Sequence, residues 1–153
     1  MSFSDDLNKE IDNISESMRE ITKATAVAYF DDVVRTSPVG NQDLWKNPNS
    51  APDGYTGGRF RSNWFLTNVK PSQRKDEDIT SEESKVNEIT KGILADERFF
   101  SYILTNNLDY SEAIEAGHST QRPNGVVGPA TKEAERYFRE AEKTVNRKRG
   151  IKR

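Results

Sequence analysis

Apolar residues near the start of the chain recur at the spacing of a helix that has one narrow apolar stripe. Leu7, Ile11, Ile14, Met18 and Ile21 follow one another at intervals of four, three, four and three residues, as in the seam of a coiled coil. After Ile21 the apolar residues spread over most of the helix circumference. This change predicts a helix whose first part is half-exposed and whose second part lies in the core.

The predicted helix has Ser4 as its N-cap and ends near Thr36. At a rise of about 1.5 Å per residue it is roughly 50 Å long, more than a domain of this size needs to cover one sheet. Two interpretations stay open. The helix either packs on its own sheet or reaches a neighbouring subunit.

Proline and glycine end this helix and open a long loop. The residue before Pro38 avoids the helical conformation, and residues 41–58 contain two further prolines and three glycines. Loops of this length are functional or disordered. Trp45 and Tyr55 favour an ordered loop, because each needs a surface to pack on. We expect partners to provide that order.

Alternating apolar positions predict two strands in the rest of the chain. The segment from Arg59 to Val69 has the alternating pattern of a strand and is rich in aromatic and β-branched side chains. Residues 99–105 show the same alternation. The glycines before Arg59 are interpreted as a tight turn into the first strand.

Two further helices complete the pattern. One begins at Ser81 and runs to about Ala95, although Gly92 weakens it and leaves a strand possible there. The other runs from near Pro129 to about Val145. The sequence therefore predicts an α+β fold, in which the long N-terminal helix and the C-terminal helix pack on a small, mainly antiparallel sheet beside a long ordered loop. Residues 1–146 are predicted to form a single domain, and residues 147–153 a basic C-terminal tail.

The composition of the 153 residues is lean and polar. Hydrophobic residues make up 33% and charged residues 31%, which fits a chain that buries part of its surface only on oligomerisation. The net charge of −2 gives no global signal for nucleic-acid binding. The absence of cysteine excludes disulfides and thiolate metal sites. No apolar run approaches the ~18 residues of a membrane span, and the acidic first residues do not predict a secretory signal.

No arrangement typical of an enzyme is present. His118 is the single histidine, whereas a metal site needs several converging ligands. The segment Gly57-Gly58-Arg59 lacks the preceding strand and the Lys-Ser/Thr step of a phosphate-binding loop. We expect no enzymatic activity, no cofactor and no bound metal.

Basic residues fill five of the last seven positions. Three interpretations stay open: a helix end whose cations complement the helix dipole, contact with nucleic-acid phosphates, and docking on an acidic neighbour. The residues concerned are Arg147, Lys148, Arg149, Lys152 and Arg153.

Residues 106–127 form the densest cluster of turn-forming and polar positions. An Asn pair is expected to close a strand, a one-turn helix carries Tyr110 and Glu115, and Gly117 ends that helix. A loop rich in proline and glycine then leads into the last helix. We interpret this cluster as shaping an assembly surface.

Two blocks of the sequence resemble the neck and tail-completion proteins of tailed bacteriophages. The first block comprises Ser37-Pro38-Val39-Gly40 and residues 44–46, 54–55 and 57–64. The second is an Asn pair, a Tyr step, Glu-x-Gly-x-Ser and Gln-x-Pro-x-Gly, matched by Asn106-Asn107, Tyr110-Ser111, Glu115-Ala116-Gly117-His118-Ser119, Gln121-Arg122-Pro123-Asn124-Gly125 and Val127. The chain departs from the family pattern at Asp109, where proline is usual, and at Gly128, where a basic residue often follows.

The resemblance implies a virion structural protein at the head–tail junction, assembled in the host cytoplasm and without catalytic residues. It implies a ring of about six or twelve identical copies around the DNA channel. The implied partners are neighbouring connector or stopper proteins and tail-tube or terminator proteins, with non-specific contact to packaged DNA and no membrane. A tail terminator that caps the tail tube is an alternative within this family. A basic-tailed nucleic-acid-binding module is the alternative from another class.

We expect the two blocks to lie close together, with Arg59 or Arg61 paired to Glu115 so that the pair fixes the 117–125 loop to the sheet. We also expect the segment between Trp45 and Tyr55 to contact adjacent rings. The residues expected to shape the assembly surface are Trp45, Tyr55, Gly58, Arg59, Arg61, Trp64, Asn106, Asn107, Tyr110, Glu115, Gly117, Ser119, Gln121, Pro123 and Gly125.

Overall fold

The computed structural model describes residues 2–98 and 101–151. Helix α1, Phe3–Thr36, is its longest element and confirms the predicted first helix. Residues 2–16 are all exposed, whereas Phe30, Val33 and Val34 are buried in the second half of the helix. The predicted change from a half-exposed to a buried helix is therefore confirmed.

The N-cap of α1 is Ser2, so the prediction of Ser4 was wrong by two residues. Ser2 Oγ accepts the backbone N–H of Asp5 at 3.3 Å, and the Asp5 carboxylate accepts the backbone N–H of Ser2 at 2.9 Å. This reciprocal capping box needs an acceptor three residues after the cap. Ser2 finds Asp5 at that position, whereas Ser4 would find Leu7, which accepts no hydrogen bond.

Three further helices pack on or beside α1: α3 (Glu82–Ala95), α5 (Val127–Lys132) and α6 (Ala134–Arg149). Helix α3 confirms the helix predicted from Ser81, whose side chain accepts the backbone N–H of Ser84. The main core lies between α1, α3 and the start of α5, and a second cluster joins α1 to α6. The main core includes Val33, Val34, Ile89, Ile93 and Val126, and the second cluster is Ile21, Ala141 and Val145.

The last helix is divided, which corrects the prediction of one helix from Pro129 to Val145. The chain turns at Glu133 between α5 and α6. Helix α6 continues to Arg149 and is capped by Gly150. The predicted boundary between domain and tail, after residue 146, therefore falls inside a helix.

The strand predicted from Arg59 to Val69 was wrong in its first half. Residues Arg59–Ser62 form a short helix, α2, and only Phe65–Thr67 form a strand, β1. Phe60 and Trp64 are four residues apart, a spacing that fits a helix as well as an alternating strand. The side chain of Asn63 decides between them, because its Nδ2 donates to Arg59 O at 2.8 Å and closes the helical turn.

The sheet consists of β1 and β2, Ile103–Thr105, paired antiparallel with Leu66 opposite Leu104. The first residues of the second predicted strand, Phe99 and Phe100, lie outside the described residues. With a long N-terminal helix, a C-terminal helix and this small antiparallel sheet, the predicted α+β class is confirmed.

The 41–58 loop contains two short 3-10 turns, Gln42–Leu44 and Pro48–Ser50. The rings of Trp45 and Tyr55 pack edge to face, with their centroids 5.0 Å apart. The loop therefore supplies from within itself part of the order that we expected from partners.

Candidate assembly site

The carboxylate of Glu115 closes the loop that leads into α5. Glu115 ends α4, Ser111–Glu115, the predicted one-turn helix. Its Oε2 accepts the N–H groups of Val126 and Val127, both at 2.9 Å, and its Oε1 accepts the N–H of Gly128 at 2.7 Å. The first N–H groups of a helix have no partner within it. A single side chain therefore caps α5 and fixes the span of the loop.

Two glycines let the backbone close around this carboxylate. Gly117 and Gly125 have φ angles of 88° and 78°, in the region that side chains disfavour. A Cβ at Gly117 would lie 2.3 Å from the carbonyl oxygen of Pro123, and one at Gly125 would lie 2.5 Å from that of Glu115. Between them Ser119 takes part in an isolated antiparallel bridge. The loop is thus held by backbone contacts with no room for side chains at either glycine.

The same hydrogen bonds determine the pKa of Glu115. Partial burial of the carboxylate acts to raise its pKa, but the three backbone donors together outweigh burial and lower the pKa from its ordinary value of 4.5. Glu115 is therefore ionised at neutral pH, and its anion stabilises the loop.

In the first block, Trp64 links α2 to the end of α1. Its Nε1 donates to Ser37 Oγ at 2.8 Å, and Ser37 Oγ donates to the carbonyl of Val33 at 2.8 Å. The rings of Phe60 and Trp64 meet edge to face with centroids 5.6 Å apart. Since Trp64 and Ser37 are both buried, this chain of hydrogen bonds leaves neither polar group unsatisfied.

Arg61 binds the C-terminal end of α1. Its Nη2 donates to the carbonyls of Arg35 at 3.3 Å and Ser37 at 3.1 Å, and its Nη1 lies 2.8 Å from Glu82 Oε2. A cation is favourable at the negative end of a helix dipole, and a carboxylate is favourable in the first turn of α3. Arg61 therefore joins the end of one helix to the start of another.

The expected pairing of Arg59 or Arg61 with Glu115 was wrong. Arg59 pairs with Glu77, and Arg61 pairs with Glu82. Glu115 binds three backbone N–H groups instead. The pairing was predicted wrongly because the backbone groups at helix ends carry partial charges and also bind charged side chains. The carbonyls at the end of α1 bind the Arg61 guanidinium, and the N–H groups at the start of α5 bind the Glu115 carboxylate.

The expectation that the two blocks lie close together is confirmed. Gln121 Oε1 accepts the N–H of Val39 at 3.1 Å, and Gln121 Nε2 donates to the carbonyl of Val39 at 2.6 Å. Asn106 Nδ2 donates to the carbonyl of Phe60 at 2.9 Å. The rings of Phe60 and Tyr110 lie 6.4 Å apart. Side chains of the second block therefore bind the backbone and a ring of the first.

The second residue of the Asn pair holds the connection between β1 and α3. Asn107 Nδ2 donates to the carbonyls of Ser72 at 2.8 Å and Arg74 at 3.0 Å. The pair thus has two separate roles, since Asn106 joins the blocks and Asn107 anchors a segment outside them.

Two residues that sequence analysis did not single out hold the same connection. Asn63, fully buried, accepts the N–H of Asp76 at 2.8 Å and donates to its carbonyl at 3.0 Å. Ser62 Oγ bonds both backbone groups of Thr80 in the same way. Their place in the first block, directly before Trp64, was the signal available in the sequence.

A cleft of about 810 Å³ opens where the two blocks meet. Its charged and polar lining includes Lys46, Arg59 and His118, and no carboxylate lines it among the residues that the structure describes. Of the predicted assembly residues, seven line the cleft and the other eight do not. Its apolar lining includes Leu44, Trp45, Tyr55, Phe60, Tyr110 and Ile114.

The basic residues at the end of α6 find acidic partners within the chain. Arg149 Nη2 lies 2.9 Å from Glu20 and 3.2 Å from Glu16, both on α1, and Lys148 lies 3.6 Å from Glu20. Arg149 and Lys148 therefore bind α1 of the same chain, and docking on an acidic neighbour stays a prediction. Arg147 stays a candidate DNA contact, and Lys152 and Arg153 lie outside the described residues.

Within residues 2–98 and 101–151, no group of three or more His, Cys, Asp or Glu side chains is placed to hold a metal ion. In the same part of the chain, no helix combines the length and the apolar character needed to cross a membrane. Comparison with family models, with curated proteins and with solved structures finds no match to this chain.

Proposed function

We propose that this chain is a structural component of a tailed bacteriophage particle, located at the head–tail junction. Identical copies form a ring around the DNA channel and complete or attach the tail. The neighbours in the particle are the adjacent connector or stopper ring on one side and tail-tube or terminator proteins on the other. The chain acts by binding these partners and catalyses no reaction.

The observation that carries this proposal is the junction between the two resembling blocks. Val39 and Gln121 are 82 positions apart in the sequence and form two hydrogen bonds with each other. The two blocks that give the resemblance therefore meet in the folded chain, and residues of both line one cleft. A surface of this kind is what an assembly role requires, since several segments must present themselves to a partner together.

Two unfilled apolar surfaces support the proposal. The half-exposed stripe of α1 leaves Leu7, Ile11, Ile14 and Met18 between 48% and 55% exposed. The cleft between the blocks is a second such surface. Contiguous exposed apolar patches mark sites of interaction with other molecules, so two of them on one small chain favour a subunit that is completed by neighbours.

The proposal is tested by inactivating the gene in the phage or prophage that encodes the chain and examining the particles by electron microscopy. We expect filled heads without tails beside free tails, with tail joining restored when the wild-type chain is supplied from a plasmid. Overlong tail tubes would assign the chain to tail termination instead. Normal tailed particles, in which mass spectrometry detects no copy of the chain, would overturn the proposal.

Contact with packaged DNA is a second, separable function. Lys148 is 73% exposed despite its contact with Glu20, and Arg147 precedes it in the last turn of α6. The double variant Arg147→Gln, Lys148→Gln leaves Arg149 in place to bind α1. We expect the affinity of the wild type for duplex DNA to fall steeply with salt, and the variant to have a smaller salt slope. Equal slopes would exclude it.

A further inference from the structure

We propose that the apolar stripe of one copy, Leu7, Ile11, Ile14 and Met18, docks in the cleft of the next copy. This inference rests on the proposed function, because it specifies the contact by which neighbouring subunits of the ring would bind. The occupant of the cleft is then a second copy of this chain, and the contact joins two different surfaces.

The stripe is the free continuation of a seam that is filled elsewhere in the molecule. Ile21 is the next position of the stripe and packs with Ala141 and Val145 of α6. Helix α6 ends at Arg149, which contacts Glu16 and Glu20. Beyond this point α1 continues toward its N-terminus, and residues 3–15 are exposed throughout. The stripe therefore has the pattern of a helix interface over several turns that lack a partner.

Charge disfavours pairing between two stripes and favours docking in the cleft. Residues 3–15 contain four carboxylates and one lysine, so two such segments side by side would place like charges together, which is costly at an interface. The cleft offers the opposite charge through Lys46, since Arg59 pairs with Glu77 and no carboxylate lines the cleft among the described residues.

The positions of the two surfaces dictate contact between copies. The cleft is lined by Pro38 and Val39, which follow directly on the C-terminal end of α1. Leu7 lies near the other end, roughly 44 Å away along a helix that rises about 1.5 Å per residue. A continuous helix cannot bring its two ends together. One end of a copy must meet the other end of its neighbour, and repeated contacts of this head-to-tail kind form a ring when the rotation between copies closes.

The spacing of the stripe suits docking in an apolar cleft. Leu7, Ile11, Ile14 and Met18 have the i, i+4, i+7, i+11 spacing by which amphipathic helices anchor in apolar grooves. The aromatic rings of Trp45, Tyr55 and Tyr110 provide the walls on which such anchors pack.

The chain contains no cysteine, so single cysteines report contacts without background. We would prepare the full chain as three variants, Leu7→Cys on the stripe, Leu44→Cys in the cleft and Leu94→Cys as control. Leu94 lies on α3 away from the cleft and is 58% exposed, compared with 48% for Leu7 and 56% for Leu44. Purified variants are mixed in pairs at high concentration, treated with a short bis-maleimide and separated on denaturing gels.

We expect a covalent dimer when Leu7→Cys and Leu44→Cys are mixed, at least tenfold more than from either variant alone or from Leu94→Cys with Leu44→Cys. Adding Lys46→Glu to the Leu44→Cys variant should reduce this yield, because it places a carboxylate opposite the acidic segment. Efficient cross-linking of Leu7→Cys with itself would overturn the inference in favour of stripe-to-stripe pairing. Absence of the mixed product would overturn it as well. The result of the gene-inactivation experiment does not depend on this contact. Tailless particles there, together with a negative cross-linking result, would reject this contact and leave the proposed function in place.

Discussion

Gln121 and Val39 are joined by a reciprocal pair of hydrogen bonds. The side-chain amide of Gln121 binds the backbone of Val39 as a neighbouring strand would in a sheet. The amide oxygen accepts the N–H of Val39, and the amide nitrogen donates to its carbonyl. A carboxamide carries both an acceptor and a donor, whereas a carboxylate of the same shape only accepts. The junction of the two blocks therefore depends on the identity of residue 121, and not only on its polarity.

Gln121→Glu should weaken this junction as much as Gln121→Ala does. A carboxylate accepts the N–H of Val39 but places its second oxygen against the Val39 carbonyl, and it has no donor. We expect each variant to lose about 1 kcal/mol of unfolding free energy and to exchange the Val39 amide hydrogen faster. Gln42→Glu, on the exposed loop, adds the same charge and serves as control. A Gln121→Glu variant with wild-type stability and exchange would contradict this prediction.

Gly125→Ala and Gly54→Ala separate backbone strain from close packing. The two glycines have similar φ angles, 78° and 73°, but only at Gly125 would a Cβ meet the backbone, at 2.5 Å from the carbonyl of Glu115. We expect Gly54→Ala to cost about 1 kcal/mol from strain alone and Gly125→Ala to cost at least twice as much. Chemical denaturation measures both. Equal costs would show that the loop moves aside without penalty.

Acid unfolding should reveal Glu115. Its pKa in the folded chain is lowered from 4.5, so it contributes stability that is present above pH 4.5 and lost as the pH falls through the lowered value. Glu115→Gln should reduce stability at pH 7 by about 1–2 kcal/mol, because the bonds to an ion are lost, and should flatten the decline below pH 4.5.

Glu112→Gln is the matched control, since Glu112 lies on the same short helix. Removing this carboxylate should leave the three hydrogen bonds of Glu115 in place. A Glu115→Gln variant whose acid profile parallels the wild type at every pH would show that the three backbone bonds do not favour the ionised form.

A double-mutant cycle should find Arg61 coupled to Glu82 and not to Glu115. Arg61 and Glu82 are 2.8 Å apart, and Arg61 also binds two carbonyls at the end of α1. We expect Arg61→Ala to cost about 1–3 kcal/mol and Arg59→Ala, whose partner Glu77 is 82% exposed, less than about 0.5 kcal/mol. Coupling between Arg61 and Glu115 above about 0.5 kcal/mol would contradict the contacts described here.

Alkaline unfolding should depend on Tyr137. Burial, together with its hydrogen bond to Asp32 at 2.6 Å, raises the pKa of Tyr137 from 10.0 to about 12. A raised pKa means stability that is complete below pH 10 and is lost as the pH rises toward 12. Tyr137→Phe should therefore show a shallower decline between pH 10 and 12, measured against the wild type and against Tyr55→Phe. Parallel curves for all three would refute the assignment.

The long first helix and α3 were predictable from the sequence because their apolar residues recur at helical spacing. Val86, Ile89 and Ile93 are buried in α3 as expected, although Gly92 left a strand possible there. Phe60 and Trp64 were not decisive, because a spacing of four fits two periods at once. The helix at that point depends on a hydrogen bond from Asn63, which no pattern of apolar residues records.

The residues of the site were predictable in location but not in partnership. The two blocks were expected to meet, and Gln121 joins them to Val39. Charge suggested a guanidinium for Glu115, whereas the partners are N–H groups of the backbone. Every residue except proline has a backbone donor. The sequence therefore does not indicate which of these donors a carboxylate binds, and only the folded chain shows it.

Because the two tryptophans have different surroundings, their fluorescence reports separately on the cleft and on the core. Trp64 is 5% exposed and hydrogen-bonded in the core, whereas Trp45 borders the cleft against Tyr55. An aqueous quencher such as iodide should reduce the emission of Trp45 and leave that of Trp64 almost unchanged. Whatever enters the cleft shields Trp45 alone, so occupancy can be followed in real time, without a label, while the emission of Trp64 reports whether the molecule stays folded.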